Sequence, residues 1–276
     1  MILEKRKKYL QIALNSDLIE AERIIRGLPI SEQIIIEAGT PLIKTYGVKA
    51  ITKLKEISLN RILGGAITRS YQINSFLSRK FLEMENPLLS KFILGGSRRK
   101  KDKPIDKNNQ RTTPSLGPYI IADIKCDDLA RKEVEIIAKA GASAATCLGV
   151  APSETIDSFI EECQKWGIDS MVDMMNVDNP LLVLKKLKKP PDIVVLHRGV
   201  DESEFNKEKR IPYYQIQQMK GNYDVLISVA GGDSLGDVEQ AFFNDADIVI
   251  VWKSFYKSSE QTAKLAQEFY RKLKIR

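Results

Sequence analysis

Asp123, Lys125 and Asp128 are the residues whose types and spacing most clearly permit chemistry. They follow the apolar run Tyr119-Ile120-Ile121-Ala122, and period-two alternation sends Asp123 and Lys125 to the same side of a strand. Two charges facing inward are costly unless they are paired or used. They form either an internal ion pair that sets strand register or a reactive centre, and the second reading is the stronger. A further acid, Glu37, closes Ile34-Ile35-Ile36 just before Gly39-Thr40-Pro41. With Asp123 it could give Mg²⁺ two hard oxygen ligands, water and substrate oxygens filling the other positions; the alternative is that Glu37 pairs with Lys125 and no metal is involved. The single histidine, His197, ends Ile193-Val194-Val195-Leu196 and opens His197-Arg198-Gly199-Val200-Asp201. An imidazole at a strand end beside glycine and charge can act as a general acid or base. In Ser228-Val229-Ala230-Gly231-Gly232-Asp233, the two glycines let backbone N–H groups approach an anion such as phosphate.

These residues need a scaffold that gathers strand ends. Short apolar runs alternate with stretches of helical period, the pattern of βα units in a parallel sheet. Eight strands are expected, near Tyr9–Leu14, Gln33–Glu37, Pro118–Asp123, Ala144–Leu148, Asp169–Asp173, Asp192–Leu196, Tyr223–Val229 and Asp247–Val251, with helices such as Leu129–Ala140, Ser153–Trp166 and Ser259–Leu273 between or after them. Polar residues at the strand C-termini favour a closed (β/α)₈ TIM barrel over a doubly wound sheet, because barrel sites gather at that end. The glycines after the seventh strand lie where barrels commonly hold phosphate.

Residues 58–117 break the rhythm and are expected to be an insertion between the second helix and the third strand of one barrel domain spanning 1–276. Tyr71–Met84 and Pro87–Leu94 have helical character, and the polar run from Gly95 to Ser115 is expected to be disordered. The chain's net charge of +7 is concentrated here, with twelve Lys/Arg against four Asp/Glu in residues 59–117. Gly64-Gly65-Ala66-Ile67-Thr68 follows no strand and is read as a chance motif. No apolar run approaches the roughly 20 residues of a membrane span, so a soluble cytoplasmic protein is expected. Cys126, Cys147 and Cys163 lack metal-site spacing and are expected to be ordinary thiols.

Together the motifs resemble the orotidine monophosphate decarboxylase superfamily, and within it the 3-hexulose-6-phosphate synthases, over residues 9–57 and 118–274. The third-strand Asp-x-Lys-x-x-Asp is met by Asp123, Lys125 and Asp128. Glu37 within Glu-Ala-Gly-Thr-Pro-Leu is similar to the synthase and ketogulonate-phosphate decarboxylase branch, where orotidine decarboxylases have lysine. The run from His197 to Asp201 looks more like a synthase. The resemblance implies a Mg²⁺-dependent aldol reaction joining formaldehyde to ribulose 5-phosphate, or its reverse, in a homodimer. Glu37 and Asp123 would hold the metal, His197 would move the C1 proton, Lys125 would add positive charge near an enediolate, and Asp128 would reach into the partner's site. Gly231, Gly232, Lys253, Thr40 and Arg198 are the expected phosphate- and substrate-binding groups. Two positions depart from the family pattern. Asn15 stands where a first-strand aspartate is usual, able to hydrogen bond but not to neutralise Lys125. Trp252-Lys253 replaces a glycine-rich eighth-strand loop, giving a point charge in place of a bidentate fork. Alternatives are a decarboxylase of orotidine monophosphate or a keto-sugar phosphate, and a non-catalytic barrel that binds nucleic acid or protein through its basic insertion.

Overall fold

Near-continuous apolar runs are the sequence form of strands buried on both faces, and here they close into a barrel. In the computed structural model eight parallel strands follow one another around the ring in chain order, β8 pairing with β1. They are β1 (Tyr9–Leu14), β2 (Ile34–Ala38), β3 (Ile120–Cys126), β4 (Ala144–Leu148), β5 (Asp169–Asp173), β6 (Ile193–His197), β7 (Leu226–Ala230) and β8 (Ile248–Val251). The structure describes residues 1–63, 117–199, 211–230, 234–252 and 259–274, together with Asp201 and Phe205. The expected insertion helices, the basic run, the Gly64–Thr68 motif, Gly231, Gly232 and Lys253 lie outside the described residues.

The described helices are α1 (Leu18–Gly27), α2 (Thr40–Tyr46), α3 (Val48–Ile62), α4 (Ala130–Lys139), α5 (Ser153–Trp166), α6 (Pro180–Leu184), α7 (Tyr214–Asn222), α8 (Leu235–Phe243) and α9 (Ser259–Lys274). Local chemistry sets several ends. Asp17 caps α1 by accepting from the Ile19 and Glu20 amides. Ser234 and Asp237 form a reciprocal capping box on α8. Gly167 closes α5 in a left-handed conformation at φ 69°. Among the described residues no helix is long and apolar enough to cross a membrane.

Several boundaries differ from expectation, three of them by three residues or more. Ser58–Ile62 belong to α3, with Ser58 and Ile57 buried, so the helix runs into the segment assigned to the insertion. β7 begins at Leu226 because Tyr223 terminates α7, its N–H bonding the Met219 carbonyl. β3 continues past Asp123 to Cys126.

Inward-facing side chains change character along the barrel axis. At the N-terminal end Asp169 accepts from Tyr119 Oη at 2.7 Å and from the Ile2 and Leu3 amides at 2.5 and 3.2 Å. Above lies an apolar plug that includes Ile35, Ile121, Ala144, Met171, Ile193, Leu226 and Ile248. Toward the C-terminal ends the inward residues become Glu37, Asp123, Thr146, Asp173 and His197. The plug excludes water from below and leaves the charged groups at one mouth, where barrel chemistry resides.

Candidate active site

Glu37 is buried at the end of β2, opposite Ala13 of β1 in the ladder. Gln11 Nε2, two residues earlier on β1, donates to Glu37 Oε2. Burial, then repulsion from Asp123, push the Glu37 carboxyl up to about 7, against the opposing effects of Gln11 and Lys125. The chain then turns through Gly39 into α2, which Pro41 helps to start. A Cβ at Gly39 would overlap the Asn15 carboxamide and lie 3.0 Å from the Leu14 carbonyl oxygen. That close approach delivers Thr40 to Asp123: its Oγ1 donates to Asp123 Oδ2 at 2.6 Å, and its N–H reaches the same oxygen at 3.3 Å. Gly39→Ala is therefore expected to cost about 1–3 kcal/mol, because the Leu14 carbonyl is backbone and cannot swing aside. Chemical denaturation measures it; an unchanged midpoint would show that the turn tolerates a side chain.

Asp123, on β3, is 7% exposed. Its Oδ1 accepts from Thr146 Oγ1 at 2.8 Å and lies 3.3 Å from Lys125 Nζ. Alternation predicts that Asp123 and Lys125 share a side, and their side chains do meet. The route differs, since β3 is irregular between Ala122 and Cys126 and Lys125 has a left-handed backbone at φ 48°. Lys125 Nζ also bonds Asp173 Oδ2 at 3.0 Å. Lys125 Nζ is thus paired with Asp123 and Asp173, and Glu37 is held by Gln11 instead.

Asp173 joins the lysine to the histidine. The oxygen that meets Lys125 also lies 2.7 Å from His197 Nδ1, and Oδ1 accepts from the Met175 amide at 3.0 Å. Burial alone would raise the Asp173 carboxyl, but the His197 hydrogen bond, the His197 charge and Lys125 outweigh it and bring it down to about 2. Burial works against the His197 imidazolium, yet the Asp173 bond and charge raise its proton affinity above the ordinary histidine value. Lys125 is likewise held above the ordinary lysine range by Asp123 and Asp173 against the cost of burial. With Nδ1 fixed on Asp173, Nε2 is left to exchange a proton with a bound molecule.

The structure therefore brings Glu37, Thr40, Asp123, Lys125 and His197 into one cluster. Asn15 packs over Gly39 at its edge. Arg198 follows His197, its N–H bonding the Ala230 carbonyl at 3.2 Å. Asp128 is exposed at the β3 exit, with Oδ1 accepting from the Leu129 amide at 2.7 Å. Trp252 is partly buried at the end of β8. All three cysteines are free and buried. Sequence reasoning missed Gln11, Thr146 and Asp173. The only signal at Asp173 was a carboxylate at a strand C-terminus, and it was shared with Asp169 at the other end of the same strand.

The Orotidine 5'-phosphate decarboxylase / HUMPS family matches residues 106–267, more than half of the chain. The chain is 33% identical over 256 residues to a bifunctional enzyme Fae/Hps of Methanocella arvoryzae, covering 91% of this chain and 50% of that protein. It is 31% identical over 253 residues to the bifunctional enzyme Fae/Hps of Methanocaldococcus jannaschii, covering 91% and 49%. The chain thus spans about half the length of these relatives. Among solved structures, 3-hexulose-6-phosphate synthase from Salmonella typhimurium superposes with a TM-score of 0.68 at 23% identity, covering 97% of this chain and 99% of that one. KGPDC from Streptococcus mutans superposes at 0.65 with 14% identity, covering 98% and 99%. At these identities the superpositions establish the barrel fold.

Proposed function

Since the chain belongs to the Orotidine 5'-phosphate decarboxylase / HUMPS family, we propose that it is a hexulose-phosphate aldolase, joining formaldehyde to C1 of ribulose 5-phosphate or cleaving the hexulose 6-phosphate product. The observation that carries this reading is the linked cluster Glu37–Asp123–Lys125–Asp173–His197 at the C-terminal mouth. It combines a poised acid–base group with fixed positive charge and a pair of hard oxygen donors. The similarity to the Fae/Hps enzymes supports the reading.

Proton removal from C1 of a ketose phosphate develops negative charge on the C2 oxygen, next to the C1 oxygen. His197 Nε2 would take that proton, with Asp173 fixing the ring through Nδ1. Lys125, kept cationic by two carboxylates, would face the developing charge in a site closed to water from below. Glu37 and Asp123 suit a hard divalent cation: both are buried carboxylates, and their mutual repulsion pushes Glu37 up, a conflict that a shared cation relieves. They would hold Mg²⁺, which when bound would add Lewis-acid stabilisation of negative charge on substrate oxygens. Gln11 and Thr40 would hold the two carboxylates in place. Gly231, Gly232, Lys253 and Arg198 would receive the phosphate. Asp128, exposed at the β3 exit, would reach the site of a second copy, giving a homodimer. Phosphorylated sugars are confined by their charge to the cell interior, so the working location would be the cytoplasm.

Incubating the protein with hexulose 6-phosphate and trapping formaldehyde tests the reading. Release is expected with Mg²⁺, with loss on chelation and on His197→Ala. Carbon dioxide release from orotidine monophosphate, with no formaldehyde from the hexulose phosphate, would replace this activity with decarboxylation.

A further inference from the structure

The β3–β4 ladder is interrupted where the site is built. Ala122 pairs with Ala145 and Cys126 with Cys147, so residues 123–125 of β3 lie opposite the single residue Thr146 of β4. Such a bulge re-aims side chains, and it takes backbone groups out of the ladder that must then be satisfied in another way. Lys125, at the end of the excursion, adopts φ 48°, a left-handed conformation that needs outside support in a residue with a side chain. Its N–H donates to Thr146 Oγ1 at 3.0 Å. The Thr146 hydroxyl donates its one proton to Asp123 Oδ1 at 2.8 Å. Thr146 is only 5% exposed, so little water is available to replace either bond.

We infer that Thr146 is a positioning residue for the reaction: its hydroxyl spans the bulge and fixes the Asp123 carboxylate and the Lys125 backbone relative to each other. The chain N–H to hydroxyl to carboxylate has only one polarity, because a hydroxyl has one proton to give and can accept at the same time. Both charged residues are thereby tied to one atom of the neighbouring strand. Without that atom Asp123 Oδ1 keeps only Lys125 Nζ, the Lys125 N–H is buried without an acceptor, and the bulge has no fixed geometry. Thr40 restrains the other Asp123 oxygen, but from the β2–α2 turn, and it has no hold on Lys125. The inference rests on the aldolase reading for what the positioning serves.

Thr146→Val keeps the shape and loses both bonds; Thr146→Ser keeps the hydroxyl; Thr146→Ala loses both bonds without facing a second methyl toward the carboxylate. The full chain carrying each is compared with the parent by steady-state kinetics on hexulose 6-phosphate, by Mn²⁺ binding followed by electron paramagnetic resonance, and by amide hydrogen exchange read by mass spectrometry. Valine and alanine are expected to lower kcat about 10–100-fold and to weaken Mn²⁺ binding by a similar factor, the range seen when a group supporting a ligand is lost. Exchange should quicken in peptides covering residues 120–126 and stay unchanged in β5–β7, and serine should restore all three readouts to within about fivefold. Parent-like kcat and Mn²⁺ affinity in the valine or alanine chain would overturn the inference, as would a serine chain impaired as badly as valine. Were the parent itself to release no formaldehyde, the aldolase reading would fall, and Mn²⁺ binding and exchange would still decide the role of Thr146.

Discussion

Replacing Asp123 by asparagine is expected to lower kcat/KM for formaldehyde release by about 10³-fold while the barrel stays folded. The carboxylate has donors on both oxygens: Thr40 on Oδ2, and Thr146 with Lys125 on Oδ1. An asparagine can present its oxygen to one set only. Its NH₂ then faces either the Thr40 N–H or Lys125 Nζ, where two donors oppose each other. Lys125 retains Asp173, so no cation is left buried alone, and the stability cost should stay near 1–3 kcal/mol. Under the proposed mechanism catalysis would lose more, because the same change would remove one of two hard anionic oxygen donors and shift the lysine proposed to face developing charge. Kinetics, chemical denaturation and direct Mn²⁺ binding check this together. Activity within tenfold of the parent, with metal binding intact, would remove Asp123 from the centre.

Asp173→Asn should produce the second large effect, and it can be watched at a single atom. The chain has one histidine, so an isotope-labelled sample gives one imidazole signal to titrate. Asp173 bonds Nδ1 at 2.7 Å and holds the His197 proton affinity above its ordinary value. An asparagine oxygen can still accept from Nδ1–H but brings no charge, so the His197 midpoint should fall, and kcat should drop about 10²-fold as the base loses its orienting anion. An unmoved midpoint would mean that Asp173 does not govern the imidazole.

The acid limb of stability follows from the same contacts. Asp173 is depressed from 3.8 to about 2 on folding. The stability it contributes, on the order of 2 kcal/mol, is therefore present above about pH 4 and lost as pH falls toward 2. The raised His197 has the opposite sign, contributing below its unfolded value and fading as pH rises through its folded one. The asparagine variant should lose less stability than the parent between pH 4 and 2.

Much of this cluster is legible in the sequence. Asp123, Lys125 and Glu37 stand out as charges ending apolar runs, and the order of those runs points to a barrel. Asp173 does not, because β5 begins and ends with aspartate. Asp169 serves the closed end, accepting from Tyr119 and two amides, while Asp173 serves the mouth. Both are carboxylates at strand ends, and their burial and partners become distinct only once the ring closes. The β3 bulge was hidden for a related reason. Alternation treats Asp123 and Lys125 as regular strand positions, whereas their geometry depends on a threonine 21 residues from Lys125 on the next strand. Gln11 stayed invisible because a glutamine inside a strand looks like an ordinary polar residue until Glu37 is placed beside it.

The central claim is that this cluster makes and holds an enediolate, and the most direct measurement is exchange of the C1 proton of ribulose 5-phosphate with solvent. Incubated in D₂O with Mg²⁺ and no formaldehyde, the protein is expected to wash out one of the two C1 hydrogens stereospecifically, as followed by proton magnetic resonance. The exchange should vanish with His197→Ala and fall sharply with Asp123→Asn. A C1 signal that keeps both protons under conditions where the protein binds the sugar phosphate would contradict the account.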